Sequence, residues 1–123
     1  MLTGKVERRM SDEAMKNEQF TETYEKYSDV MYVDVAVPQK GAVIETVDVG
    51  DELGLPGQII VRYDAATGNI YGMTIERYSA VDRKLRRDMH QQAIQDQIRC
   101  LLEKVMQILS HLVPTIHGEA QLA

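Results

Sequence analysis

The stretch VMYVDVAV, residues 30–37, carries an apolar side chain at every odd position. Successive side chains of a β-strand point to opposite faces, so this alternation predicts a strand with one unbroken apolar face on a core, ended by Pro38 and Gly41. Four other runs rich in β-favouring residues predict strands at 20–26, 42–49, 57–63 and 70–77. No connection between them is long enough for a helical crossover, which predicts an antiparallel meander.

The second half of the chain has the features of a helix. Ser79 is the predicted N-cap, and neither proline nor glycine occurs from 80 to 112. The sequence therefore predicts an α+β fold, with an antiparallel β-meander of about five strands followed by one long C-terminal helix or two consecutive helices. We divide the chain into a flexible tail at 1–18, a sheet-plus-helix domain at 19–90, a C-terminal oligomerisation helix at 91–113 and a flexible tail at 114–123.

The apolar stripe of the predicted helix changes sides near residue 90. Val81, Leu85 and Met89 share one face at about 100° per residue, whereas the later apolar residues fall on the opposite face. Those later residues are Ile94, Ile98, Leu101, Leu102, Val105, Ile108, Leu109 and Leu112. Either a kink at 90–92 turns the second stripe toward the sheet, or a straight helix offers it to another subunit. The heptad spacing favours the straight helix, so we predict a homo-oligomer with these residues at its interface.

Length, charge and composition limit the class of protein. The 123 residues suffice for one small domain, and no apolar run approaches the roughly 20 residues that cross a bilayer. A net charge of −5 disfavours nucleic acid as a partner. The single cysteine, Cys100, and a start without a signal-peptide core predict a cytoplasmic protein that is not attached to a membrane.

We assign no catalytic, cofactor-binding or metal-binding residue from the sequence, because no phosphate loop, zinc-ligand spacing or nucleophile elbow occurs. Solvated or capping roles suit the three histidines, His90, His111 and His117. A solvated acidic loop is the interpretation for Asp48, Asp51 and Glu52. A solvated helix face or a set of ion pairs, rather than a phosphate-binding patch, suits Arg83, Lys84, Arg86 and Arg87. Cys100 is interpreted as a structural thiol.

Two groupings of tyrosine and carboxylate raise the question of acid–base chemistry. Asp29 precedes Tyr32, and Asp64 directly follows Tyr63, with Glu76 further along the chain. Turn positions and an outward-facing strand position explain these acids more simply. A pocket formed between subunits from tyrosines and neighbouring acids stays open as an alternative, and its tyrosines would be Tyr32, Tyr63 and Tyr71.

Two segments resemble the YuzE-like small bacterial proteins, over about residues 22–88. The first is YEKYSDVMYV, residues 24–33, in which a tyrosine and an acid precede an aspartate, an aliphatic residue and a second tyrosine. The second is IVRYD, residues 60–64, followed by GNIYGMTIE, residues 68–76. The resemblance implies a small antiparallel sheet followed by a helix and brings no established activity. The association of some relatives with small toxin-like proteins implies an antitoxin or binding role.

These patterns together predict a noncatalytic, oligomeric binding or regulatory module, of which an antitoxin-like protein is one version. Such a module would present its sheet or its acidic loop to a protein partner. The alternative is a small enzyme or ligand-binding protein whose pocket forms between subunits.

Overall fold

A computed structural model of the chain describes residues 20–112. Its sheet contains β1 (Thr21–Glu25), β2 (Val30–Asp34), β3 (Ile44–Asp48), β4 (Ile59–Asp64) and β5 (Ile70–Glu76). Its helices are α1 (Gly50–Leu53), α2 (Tyr78–Met89) and α3 (Ile94–Leu112). The predicted α+β fold, an antiparallel sheet followed by C-terminal helices, is confirmed. The predicted tails at 1–18 and 114–123 lie outside the described residues, and no described helix is long and apolar enough to span a membrane.

The strands lie in the order β1-β2-β5-β4-β3, and all neighbours are antiparallel. Hairpins join β1 to β2, β3 to β4 and β4 to β5, as in a meander. The connection from β2 to β3 differs, because it leads to the far edge of the sheet and leaves β5 paired with β2. This order places the strongly apolar strands β2, β5 and β4 at the centre, where both of their edges are paired.

One face of the sheet carries the core. Met31, Val33, Val61, Met73 and Ile75 are all at most 1% exposed, and residues from α2 and α3 cover them. The predicted alternation of buried and exposed side chains is thus confirmed within β2, Val30–Asp34. The strand ends at Asp34 rather than at residue 37, and Val37 is 86% exposed. The predicted apolar face is therefore shorter than the sequence pattern, because the chain leaves the sheet before it reaches Val37.

The prediction of Ser79 as the N-cap of the helix is wrong. The helix begins at Tyr78, and its N-cap residue Arg77 has a left-handed backbone and makes no capping hydrogen bond with its side chain. Asp29, in the β1–β2 turn, takes this role. Its backbone oxygen accepts from the Tyr78 amide at 2.9 Å, and its carboxylate accepts from the Ser79 amide at 2.9 Å and the Ser79 hydroxyl at 2.6 Å. The start of α2 is thus stabilised by a residue distant in sequence, which local patterns do not reveal.

The helical half breaks where the apolar stripe changes sides. α2 ends at Met89, His90 has a left-handed backbone with φ of 58°, and α3 begins at Ile94. The straight helix favoured by the heptad spacing is therefore wrong, and the chain adopts the other arrangement, a break after Met89. The second stripe consequently packs on the chain's own sheet, burying Ile98, Leu101, Leu102, Val105 and Leu109.

Three of the residues predicted for an oligomer interface are less buried. Ile108 packs partly against the core, whereas Ile94 is 37% exposed and Leu112 is 48% exposed. Burial of most of the stripe removes the need for a partner to shield it from water. Association of copies through α3 stays a prediction.

Gln97 stabilises the turn between the two helices. It is 0% exposed, and its Oε1 accepts a hydrogen bond from the hydroxyl of Tyr78. Its Nε2 donates to Asp82 Oδ1 at 2.7 Å and to the backbone oxygen of Gln91 at 3.0 Å. One buried amide thus bonds to the first turn of α2, to its second turn and to the linker that follows the helix, which fixes the direction of α3.

Candidate functional site

A cleft of about 400 Å³ opens between three segments that are far apart in the sequence. The connection after β2, the turn between β4 and β5, and one face of α3 form its walls. We call it the hairpin cleft; among the residues that line it are Val35, Val37, Asp64, Tyr71, Leu102 and Met106. Its volume falls within the range of about 300–1,000 Å³ that is typical of small-molecule sites.

Asp64 organises the turn at one side of this cleft. Its Oδ1 accepts hydrogen bonds from the backbone amides of Ala66 at 2.7 Å and Thr67 at 3.3 Å. Its backbone oxygen accepts from the Gly68 amide at 2.7 Å. Gly68 has a φ of 81°, a conformation that glycine adopts without strain, and the predicted strands 57–63 and 70–77 are indeed joined by a short hairpin turn.

The second carboxylate oxygen of Asp64 faces a tyrosine. The hydroxyl of Tyr71 donates to Asp64 Oδ2 at 2.9 Å, and Asp64 is only 9% exposed. The backbone amide of Ala66 and the hydroxyl of Tyr71 lower the pKa of the Asp64 carboxyl. Desolvation and the hydrogen bond to Asp64 raise the pKa of Tyr71. At neutral pH the pair is therefore a carboxylate beside a protonated phenol.

The rest of the lining combines apolar side chains from the β2–β3 connection and α3 with the polar residues Gln39, Thr67 and Asn69. Leu102 is buried in its wall, whereas Met106 is 59% exposed and Val37 is 86% exposed at its rim. No lysine, arginine or histidine occurs among the described residues that line the cleft. A concave surface that combines apolar side chains with a few polar groups and one charged group is an arrangement that orients a small ligand.

The three tyrosines of the alternative pocket do not come together. Tyr71 lines the hairpin cleft, whereas the hydroxyl of Tyr63 lies 3.5 Å from Glu45. Tyr32 is 42% exposed, and its register with Thr74 in β5 places it on the face of the sheet opposite the core. Within a single chain these side chains form no common site. Glu76 is also separate from Asp64, because it lies at the other end of β5.

A polar bridge lies on the face of the sheet opposite the core. Arg62 on β4 crosses above Gly72 on β5, with its Nη2 3.5 Å from Asp34 Oδ1 and its Nη1 donating to the Thr74 hydroxyl at 3.2 Å. A Cβ on residue 72 would lie 2.2 Å from Arg62 Nη2 and 2.6 Å from the backbone oxygen of Val33. The glycine therefore leaves space for an arginine to span three strands.

A second carboxylate–tyrosine group serves the start of α2. Asp29 Oδ1 accepts from the hydroxyl of Tyr24 at 2.7 Å in addition to its bonds with Ser79. The Ser79 hydroxyl, followed by the Tyr24 hydroxyl, lowers the pKa of Asp29. Asp29 is close to Tyr32 in the sequence, but in the structure it pairs with Tyr24. The bonds with Ser79 cap the helix, and the bond with Tyr24 joins the same carboxylate to β1.

The charged clusters noted in the sequence engage nearby groups. Three of the four basic residues of α2 pair within the helix: Lys84 with Asp88 at 3.4 Å, Arg86 with Asp82 at 2.8 Å, and Arg87 with Asp88 at 3.0 Å. Asp48 Oδ1 accepts from the amides of Gly50 and Ile59, both at 3.0 Å, and so shapes the acidic loop.

The remaining candidates are scattered. Asp51 and Glu52 are exposed in the first turn of α1, His90 and His111 are at helix ends, and His117 lies outside the described residues. Cys100 is a half-buried free thiol. Within residues 20–112, no three histidine, cysteine, aspartate or glutamate side chains gather closely enough to hold a metal ion.

Asp64 and Tyr71 of the hairpin cleft are both candidates from the sequence, but the sequence patterns did not connect them. Asp64 was assigned to a turn, and Tyr71 to a pocket between subunits. The spacing Asp64-x-x-x-Gly68-x-x-Tyr71 signals that a hairpin returns the tyrosine toward the aspartate. No sequence signal places Val37 and Met106 beside them, because that contact depends on the position of α3. Comparison of the chain with protein-family models, curated proteins and solved structures found no match.

Proposed function

We propose that the chain is a noncatalytic binding module and that the hairpin cleft is its ligand-binding site. The observation that carries this proposal is the cleft itself, in which the Asp64–Tyr71 pair lies beside apolar residues from the β2–β3 connection and α3. The proposal retains the noncatalytic role predicted from the sequence. It places the pocket of the alternative prediction within one chain instead of between subunits.

The direction of the pKa shifts supports binding over acid–base catalysis. General acids and bases work best with a pKa near the working pH. Hydrogen bonds lower the pKa of Asp29 and Asp64, whereas the pKa values of Tyr71 and Tyr78 are raised. These groups keep one protonation state around neutral pH, so they suit fixed hydrogen bonds and a fixed charge.

A fragment screen followed by two-dimensional amide NMR tests the proposal. Ligands of the cleft should shift the amide signals of Gly68 and Asn69 on the turn and of Leu102 on α3. Ala36 lines the cleft and is exposed, so Ala36→Phe should fill the cleft and abolish these shifts without unfolding the protein. Ala93→Phe is the matched control, because Ala93 is exposed and lies outside the lining. Fragments that bind Ala36→Phe as well as the unchanged protein would contradict the proposal.

A protein-binding role is the second candidate, and an antitoxin-like role is one version of it. The favouring observation is β3, an edge strand among residues 20–112, where it pairs only with β4; Ile44 on it is 46% exposed, and the neighbouring Val43 is 57% exposed. An extended segment of a partner can add a strand to such an edge. The antitoxin version depends on the resemblance to YuzE-like proteins. Copurification of a stoichiometric partner, lost on Ile44→Lys but retained in Thr23→Lys on the opposite edge, tests it.

The predicted homo-oligomer through α3 is a separate part of the proposal. Its remaining support is the heptad spacing, together with the partial exposure of Ile94 and Leu112. Light scattering at high micromolar concentration should give a mass of at least two chains. A monomeric mass would refute it and would leave the cleft proposal intact, because the cleft belongs to one chain.

A further inference from the structure

We propose that the hairpin cleft selects small organic cations with an apolar tail, for which a primary ammonium on an alkyl chain is the simplest example. The inference rests on the proposed function, because it names the class of ligand for the same cleft. It depends on two features of that cleft: the charge on Asp64 and the apolar surface that faces it.

The charge of Asp64 has no cationic partner among the described residues. The ion pairs of residues 20–112 involve other acids, namely Asp34, Asp82, Asp88 and Asp96. The groups that bond to the carboxylate of Asp64 are two backbone amides and one phenol, all of them neutral donors. A carboxylate with little solvent exposure and only neutral donors favours a cation that brings a compensating charge.

The carboxylate also retains acceptor capacity. An ionised carboxylate offers about four acceptor positions, two on each oxygen. Oδ1 accepts from the amides of Ala66 and Thr67, whereas Oδ2 accepts only from the Tyr71 hydroxyl. One position on Oδ2 therefore remains for the N–H group of a ligand. An anion at the same place would meet like charge, and no described basic residue of the lining would offset it.

The apolar wall determines the rest of the ligand. Leu102 and Met106 on α3 and Val35 and Val37 on the β2–β3 connection border the cleft. The 59% exposure of Met106 and the 86% exposure of Val37 leave apolar surface for an alkyl chain to cover. A methionine also adapts its shape to different tails. The ligand thus needs a cationic head at Asp64 and a hydrocarbon segment along α3.

Three probes of matched length separate charge from hydrophobicity. Hexylammonium, hexan-1-ol and hexanoate share the alkyl chain and differ in the head group. We expect NMR titration at neutral pH to show the tightest binding for hexylammonium, with about a tenfold advantage over hexan-1-ol, and no binding of hexanoate at the cleft. Equal affinity for hexan-1-ol and hexylammonium, or preference for hexanoate, would overturn the inference.

Asp64→Asn tests the residue that is held responsible. Its amide oxygen preserves an acceptor for the turn, so we expect hexylammonium to lose about tenfold in affinity while hexan-1-ol binds almost as before. Asp48→Asn is the matched control, because Asp48 also accepts two backbone amides but lies outside the cleft. An equal loss in both variants would overturn the assignment to Asp64. If Asp64→Asn does not fold, the probe series on the unchanged protein decides.

The two proposals fail in different ways. If neutral or anionic fragments bind the cleft better than hexylammonium, the cation inference is refuted and the binding function stands. If no probe or fragment shifts the signals of the turn and α3, both proposals are refuted.

Discussion

Replacing Gln97 by leucine should destabilise the protein by about 2–4 kcal/mol, since it removes the amide that joins α3 to α2. The buried hydroxyl of Tyr78 and the backbone oxygen of Gln91 each lose a partner. A buried polar group without a partner costs about 1–3 kcal/mol, and the better burial of leucine offsets part of that sum. Asp82 is less affected, because it still accepts from Arg86 at 2.8 Å.

A double-mutant cycle shows whether the Tyr78–Gln97 contact carries this effect. Tyr78→Phe alone should cost about 1–3 kcal/mol, because it leaves the buried Oε1 of Gln97 without its donor while the bonds from Nε2 remain. In the double variant both ends of the bond become apolar, so the loss should be about 1–2 kcal/mol smaller than the sum of the single losses. Burial raises the pKa of Tyr78 to about 12, so the hydroxyl remains a donor at every pH used.

Urea unfolding followed by circular dichroism measures all four proteins. The m-value should stay constant if α3 remains docked, and it should fall if the helix leaves the sheet before unfolding. Gln95→Leu is the matched control, because Gln95 is exposed on the same helix and its replacement should change stability by less than about 0.5 kcal/mol. Additive effects in the cycle, or an equal loss in Gln95→Leu, would refute the role assigned to Gln97.

Three further predictions concern the cap, a glycine and the helix break. The pKa of Asp29 is lowered in the folded protein, so its ionised carboxylate stabilises the fold at pH values above the ordinary pKa of 3.8. This stabilisation is lost as the pH falls through the pKa of the folded state. Asp29→Asn should therefore make the free energy of unfolding, measured with urea, depend less on pH in the acid range. Gly57→Ala should destabilise by about 3 kcal/mol in urea unfolding, because a Cβ there would lie 1.9 Å from the backbone oxygen of Glu76; a cost below about 1 kcal/mol would contradict this close approach. His90→Gly should raise stability by about 1 kcal/mol, because glycine adopts the left-handed conformation without strain; an unchanged or lower melting temperature would contradict it.

Local spacing in the sequence predicts much of this fold. Three sequence patterns correspond to features of the structure. The period of two in residues 30–34 corresponds to β2, the turn residues at 64–69 to the β4–β5 hairpin, and the change of the apolar stripe near residue 90 to the break between α2 and α3. Each depends on side-chain directions within a few residues, and backbone geometry alone sets those directions. The same reasoning wrongly placed the helix N-cap at Ser79 and the end of the second strand at residue 37. Both limits depend on groups that lie elsewhere in the chain, which local spacing does not reveal.

The candidate site was predicted only in parts. Asp64 and Tyr71 lie within one hairpin, so their proximity follows from the turn. Val37 and Met106 reach the same cleft only because the chain crosses the sheet after β2 and returns along it as α3. Contacts between residues this far apart in the sequence produce no periodic pattern that the sequence alone could reveal.

The sequence by itself determined which residues alternate, where the turns fall and where the apolar stripe of the helical half changes sides; that the helix breaks there was decided by the tertiary structure. Only the tertiary structure decided that β5 lies between β2 and β4, that Asp29 caps α2, and that the second stripe packs on its own sheet. The physical reason is that an apolar stripe specifies a need for burial but not the surface that supplies it. Here the left-handed residue His90 and the buried amide of Gln97 turn α3 back on the sheet, and that turn also forms one wall of the cleft.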